Sequence, residues 1–343
     1  MSTLPPLHDR VTAPAAVELP ESRQGVTWRP ITTDDAAAVH ALRRVTGLID
    51  HPHYVVTLGE IEHELTSAEI DLERDTILGE DARGDVVAYG TATLQAGQAT
   101  LVKSLLDGAV HPALRGLGIG TQIVEWQEAR GRQQLASSDK RLPGWLTSFA
   151  DEGATPAIEL FQRHGYGLVR WWLELSRDLS EPIPSLPLDP ALRLEVYGPE
   201  WSERTREARN ESFRDHWGSQ PMPQATWDAH GRLPIARPDL SVVAVDPATE
   251  QVVGFVLTDV NEEEWAQLGH SFGYVAYVGV LREYRGRKIA QALLSHTLQA
   301  YREQGFERAV LDVDSESPTG ATGLYAGLGF VPVNRSVSIV KEF

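Results

Sequence analysis

HPALRGLGIGTQIV at residues 111–124 and LREYRGRKIAQALL at residues 281–294 are two versions of one local design. Each puts Arg-Gly ahead of a short loop that opens into a helix-forming segment. The first version keeps its glycines; the second has Lys288 where the first has Gly118. A strand-forming run precedes each, ATLVKSLLDGAV in one half and SFGYVAYVGV in the other. Strand, glycine-rich turn and helix start together favour an anion, because unpaired N–H groups and the helix dipole both attract phosphate oxygens. The spacing is not that of a dinucleotide fingerprint, since no acidic residue ends a second parallel strand about 20 residues on. Nor does a Gly-Lys-Ser/Thr follow, as a nucleoside triphosphate loop would need.

The context of the loop is repeated as well. Arg115 and Arg285 stand 170 residues apart. Each loop is followed by an aromatic corner, FQRHGYGLV at 161–169 and YAGLGFVPV at 325–333. Each is preceded by a hairpin pattern, TILGEDARGDVVAYGTATL and SVVAVDPATEQVVGFVLTDV, with β-rich runs around a turn. The order hairpin, strand, loop, helix, strand, helix, strand therefore occurs twice. After the second loop, Leu293, Leu294, Thr297, Leu298 and Tyr301 form an apolar stripe at helical spacing; Ile123, Val124 and Trp126 follow the first. SRDLSEPIPSLPLDP between the halves is proline-rich and reads as a linker. The expected organisation is a flexible arm over 1–24, one domain over 25–178, a linker over 179–190 and a second domain over 191–343.

Bulk composition limits the remaining possibilities. A chain of 343 residues suits two domains of ordinary size. No apolar run approaches a membrane span, so no membrane partner is expected. The absence of cysteine removes a thiolate nucleophile and thiolate metal sites and fits a cytoplasmic protein. A formal charge of −17 argues against nucleic acid, which calls for a basic face. His51 and His53 in LIDHPHY lack a clear third ligand, so no metal is expected.

Arg115-Gly116-Leu117-Gly118-Ile119-Gly120 resembles in full the Gln/Arg-x-x-Gly-x-Gly/Ala loop of the GNAT superfamily of acyl-CoA-dependent N-acyltransferases. Arg285-Gly286-Arg287-Lys288-Ile289-Ala290 matches except at Lys288, and Leu324-Tyr325-Ala326-Gly327-Leu328-Gly329-Phe330 matches the family's second signature. The first half has Phe161 at the tyrosine position. The resemblance covers nearly the whole chain after the arm. It implies a mixed α/β fold: two tandem GNAT-like domains, each a twisted sheet flanked by helices.

Further expectations follow from the resemblance. The loop N–H groups would hold the pyrophosphate of acetyl-CoA, and the strand around Val278 and Val280 would pair with the pantetheine amides as an added strand; Val110 is the matching strand end in the first half. Backbone N–H groups would polarise the thioester carbonyl, and Tyr325 would protonate the departing thiolate. Phe161 has no proton to give, which places chemistry in the second half. The first half is then structural, regulatory or a second coenzyme site. At Lys288 a helix-start residue is expected to need no positive φ, to keep its N–H and to add charge beside Arg285 and Arg287. The acceptor amine must lose a proton, and the candidates are Asp312, Asp314 and Glu316 in VLDVDSESP. Strand alternation would put these on one face, with Asp312 within the sheet. Asn210, Asp215, His216 and Trp217 bring polar and aromatic groups together where a small polar acceptor could bind. The expected reaction is acetyl transfer to the primary amine of a small molecule. An inactive acyl-CoA sensor and a protein or peptide acetyltransferase remain open at this point.

Overall fold

A computed structural model describes residues 4–317 and 320–343. By internal contacts the chain divides into two units, one ending at Arg170 and including Ser336–Phe343, the other Trp171–Arg335. This differs from the expected boundaries at both ends, because each unit takes its last strand from a distant part of the chain.

In the first unit Thr27–Arg29, Thr76–Glu80, Val86–Leu94 and Val102–Val110 pair antiparallel in that order. Val102–Val110 then runs parallel to Gly144–Asp151. That strand is closed on its other side by Ser336–Glu342, antiparallel. The second unit repeats the plan: Arg193–Val196, Val242–Asp246, Gln251–Asp259 and Phe272–Val280 are antiparallel. Phe272–Val280 runs parallel to Arg308–Asp314, whose other neighbour is Trp172–Asp178. Local sequence cannot announce such an exchange, since both segments are equally good strands and only their distant partners tell them apart.

The helices after the two loops cover these sheets. On Ile289–Glu303 the side chains of Leu293, Leu294, Thr297, Leu298 and Tyr301 are buried, as their spacing predicts. Tyr301 lies flat over Gly273, where a Cβ would fall 2.6 Å from its ring, and its hydroxyl donates to Thr258 Oγ1 at 2.8 Å. Helix Ile119–Ala136 buries Ile123, Val124 and Trp126 together with Gln127, Arg130 and Gln134. Those polar groups are satisfied: Gln127 donates to the Thr91 and Asp107 carbonyls, and Arg130 and Gln134 both reach Asp75.

The N-terminal segment is not a free arm. Leu7, on a short helix Leu7–Arg10, is fully buried in the first unit, and its N–H donates to the Lys140 carbonyl. Further on, Gln122 Nε2 donates to the Glu21 carbonyl, and Arg23 lies so close that a Cβ on Gly118 would meet its guanidinium carbon at 2.6 Å.

Candidate active site

In the second unit the strand Phe272–Val280 ends at Leu281, turns through Arg282–Tyr284 and enters the loop before helix Ile289–Glu303. Gly286 has φ +80° and Lys288 has φ +59°. The corresponding Gly116 and Gly118 have φ +77° and +86°. Lys288 therefore does occupy the left-handed region, against the expectation of an ordinary helix start. An L-residue pays about 1–2 kcal/mol for that conformation. The backbone takes the same turn in both loops, and the Lys288 side chain is exposed rather than packed into the turn. The second loop thus keeps the cradle shape that an approaching phosphate needs, with strain in place of glycine.

The motif arginines brace these loops. Arg285 Nε donates to the Val280 carbonyl at 3.3 Å and Nη2 to the Ser212 carbonyl at 3.1 Å. Arg115 Nε donates to the Val110 carbonyl at 3.1 Å, and its two terminal nitrogens bind Asp50 at 2.9 and 2.6 Å. Arg287 is tied to Asp189 at 2.7 Å and lies over the Tyr284 ring. Ile119 and Ile289 are buried helix-start side chains, so only their main chain faces the loop; Leu117 is exposed.

A cleft of about 630 Å³ runs from the second loop along the strand, lined by Val278, Val280, Gly286, Lys288, Ala290 and Tyr325 among others. It opens where the two parallel strands part. Their pairing covers only Phe272–Tyr274 with Arg308–Val310, while the first strand continues to Val280. On the strand's other edge the register slips between Val275 and Tyr277. The backbone beyond Tyr274 on the cleft side is thus offered to an extended ligand, as β-augmentation requires.

Tyr325 stands on helix Ala321–Gly327, is 6% exposed, and meets the Phe330 ring edge-on at 5.9 Å. Burial pushes its phenol well above the ordinary tyrosine range, so it keeps its proton at neutral pH. Phe161 meets Tyr166 in the same edge-on way at 5.1 Å in the first unit. There the cleft, about 420 Å³, is lined by Val110, Gly116, Gly118, Gly120 and Phe161, with His51 and Asp107 on its wall. His51 Nδ1 lies 3.3 Å from Asp151 Oδ1.

The acidic triplet separates. Asp312 and Asp314 both line the cleft, but Asp314 is buried and Asp312 is exposed, while Glu316 lies past the strand end with its N–H donating to Asp314. Asp312 accepts the Tyr274 hydroxyl at 2.8 Å. Of the four acceptor candidates, His216 lines the cleft, stacked on Phe213 at 4.4 Å. Burial, with Arg285 and Arg209 nearby, pulls its pKa below the usual histidine value. Trp217 packs edge-on against Trp172, which itself lines the cleft. Asp215 pairs with Arg282. Asn210 instead clasps Met222, accepting its N–H at 2.8 Å and donating to its carbonyl at 3.1 Å. Sequence reading missed Phe213 and Tyr277 on the cleft wall and Arg209 behind them, since no motif marks them.

The duplicated strand–loop–helix, the parted parallel strands and the buried tyrosine define an acyltransferase of the GNAT type. Residues 202–330 match the model of the acetyltransferase (GNAT) family and residues 73–167 that of a GNAT domain. The chain belongs to this family and is an N-acetyltransferase with two such domains in tandem. Among its relatives are proteins named mycothiol acetyltransferase. The one from Salinispora tropica is 32% identical over 65% of this chain and 68% of its own. The one from Salinispora arenicola is 32% identical over 68% of this chain and 72% of its own. Among solved structures, a GCN5-related N-acetyltransferase from Sphaerobacter thermophilus superimposes with a TM-score of 0.69 at 25% identity, covering 95% of this chain and 97% of that one. A tandem GNAT protein from the clavulanic acid biosynthesis pathway shares the fold, with a TM-score of 0.65 at 16% identity over 92% and 98% of the two chains.

Proposed function

We propose that the second unit transfers the acetyl group of acetyl-CoA directly to the primary amine of a small polar molecule, and that the first unit binds a second coenzyme in a structural or regulatory role. The observation that carries this reading is the contrast at one position: a buried, protonated Tyr325 at the second cleft and Phe161 at the first. In this mechanism the main-chain N–H groups of Gly286 through Ala290 hold the pyrophosphate, and the strand around Val278 and Val280 pairs with the pantetheine arm. The amine, relieved of a proton by Asp312 directly or through water, attacks the thioester carbon; the N–C bond forms as the C–S bond breaks. Tyr325 gives its proton to the thiolate and is reprotonated from solvent. The relatives' name supports a small-molecule acceptor.

Calorimetric titration with acetyl-CoA tests the assignment. The wild type is expected to show two sites, and the double variant Arg115→Ala/Gly118→Glu one. A single site that disappears in the variant would mean that Lys288 has closed the second loop, and Tyr325 would lose its role.

A further inference from the structure

The first unit holds a half-buried arginine near its cleft wall with counter-charges around it. Arg43, on helix Ala36–Asp50, gives Nη1 to Glu64 at 3.1 Å and stands 3.7 Å from Asp107. Asp107 also accepts the Tyr89 hydroxyl at 2.6 Å. The cation therefore has two built-in counter-charges.

In the second unit the arginine beside the corresponding strand position is Arg209, on helix Pro199–Ser212. Asp107 lies as far before Arg115 as Tyr277 lies before Arg285, so the strand position that carries a carboxylate in one unit carries a ring in the other. Arg209 is 9% exposed, with its guanidinium 5.0 Å from the Phe213 ring centre and 5.6 Å from that of Tyr277. Its Nη1 donates to the Gln220 carbonyl at 2.8 Å and to Asn210 Oδ1 at 3.2 Å. Its Nε is buried without a hydrogen-bond partner. Among the described residues no carboxylate forms an ion pair with it. Burial accordingly depresses its pKa, with only the Tyr277 contribution opposing. A buried charge is costly unless it is paired, and aromatic faces compensate only in part. Phe213, Tyr277 and His216 line the cleft that holds Tyr325, and the guanidinium packs against the first two of these rings.

We infer that Arg209 is an anion anchor for the acceptor, so that the amine handled by this cleft carries a carboxylate or a phosphate in the same molecule. The inference rests on the acyl transfer proposed for the second unit and narrows its substrate. The ligand supplies the counter-charge that Glu64 and Asp107 supply internally in the first unit. Its binding is then coupled to the aromatic wall, because Phe213 and Tyr277 hold the guanidinium in place.

The test uses the full chain with acetyl-CoA and two matched pairs of amines: δ-aminovalerate against its amide, and phosphoethanolamine against ethanolamine. Thiol release gives kcat/KM for each. The charged member of at least one pair is expected to be better by roughly ten- to a hundredfold, the value of a charge-assisted hydrogen bond. The pair that shows the preference tells carboxylate from phosphate. In Arg209→Met the ratio should fall to about one. Tyr277→Asp, which gives Arg209 the internal carboxylate found in the first unit, should also remove the preference; thermal melting confirms that each variant folds. Equal rates within both pairs in the wild type, or a preference that survives Arg209→Met, would overturn the anchor. If no amine of the panel is acetylated, calorimetry with δ-aminovalerate and phosphoethanolamine decides. Binding abolished by Arg209→Met keeps the anchor and removes the acyl-transfer reading, while no binding of either removes the anchor.

Discussion

Replacing Tyr325 with phenylalanine removes one oxygen from the second cleft and nothing else of consequence. The first unit already shows that phenylalanine packs in this setting, with Phe161 edge-on to Tyr166 as Tyr325 is to Phe330. The ring packing of Tyr325 on Phe330 is kept by phenylalanine, so stability should change by less than about 0.5 kcal/mol. Turnover should change far more. A positioned general acid contributes roughly 10²- to 10⁴-fold, which corresponds to about 3–5 kcal/mol on the barrier. Because burial raises the phenol pKa, the group stays protonated throughout the neutral range, and the deficit should be flat with pH there. The assay is thiol release from acetyl-CoA at saturating amine, with coenzyme affinity measured separately by calorimetry. The expected outcome is a fall in kcat with affinity unchanged. A kcat within about threefold of the wild type, in a variant that melts normally, would refute the acid role and with it the division of labour between the clefts.

Two further outcomes follow from local geometry. Lys288→Gly should stabilise the second unit by about 0.5–1 kcal/mol, since relief of left-handed strain exceeds the entropy that glycine adds to the unfolded chain; a lower urea midpoint would contradict the strain at +59°. Asp35 is held at about 2 by hydrogen bonds from Arg29, which more than offset its burial, and also accepts from Thr32. Its folded pKa lies below the unfolded value, so the stability it contributes is present above pH 3.8 and is lost as pH falls through about 2. Asp35→Asn should therefore lower stability at neutral pH by about 1 kcal/mol, discounted for solvent screening, and flatten the acid limb between those values. An unchanged limb in acid titration would locate that stability elsewhere.

The parts of this molecule that were legible in its sequence are those whose cause is local. The loops at Arg115 and Arg285, the stripe from Leu293 to Tyr301 and the Tyr325 corner each depend on residues within one or two turns of each other. The polar face of helix Ile119–Ala136 was not legible, because the partners of Gln127 and Gln134, the carbonyls of Thr91, Asp107 and Ala92, come from other strands. Proline-rich sequence before residue 24 suggested freedom, yet Leu7 found a pocket against Gly144 and Leu135. At Lys288 the error is conformational: a helix start was expected to need no positive φ, and the turn imposes +59°. Asn210 and His216 read as equals in one polar cluster. Only the path of the chain after Ser212 sends the first to Met222 and the second to the cleft.

The borrowed last strands have a consequence for how the chain is made. Gly144–Asp151 pairs with Ser336–Glu342, so its edge has no lasting partner until those residues leave the ribosome. At about 5–20 residues per second, that wait is on the order of ten to forty seconds. During it, a β-rich edge with Trp145, Leu146 and Phe149 is open to any other strand. Synthesis order therefore makes this edge, like that of Trp172–Asp178 awaiting Arg308–Asp314, a point at which chaperone capture, or mispairing between nascent chains, would begin.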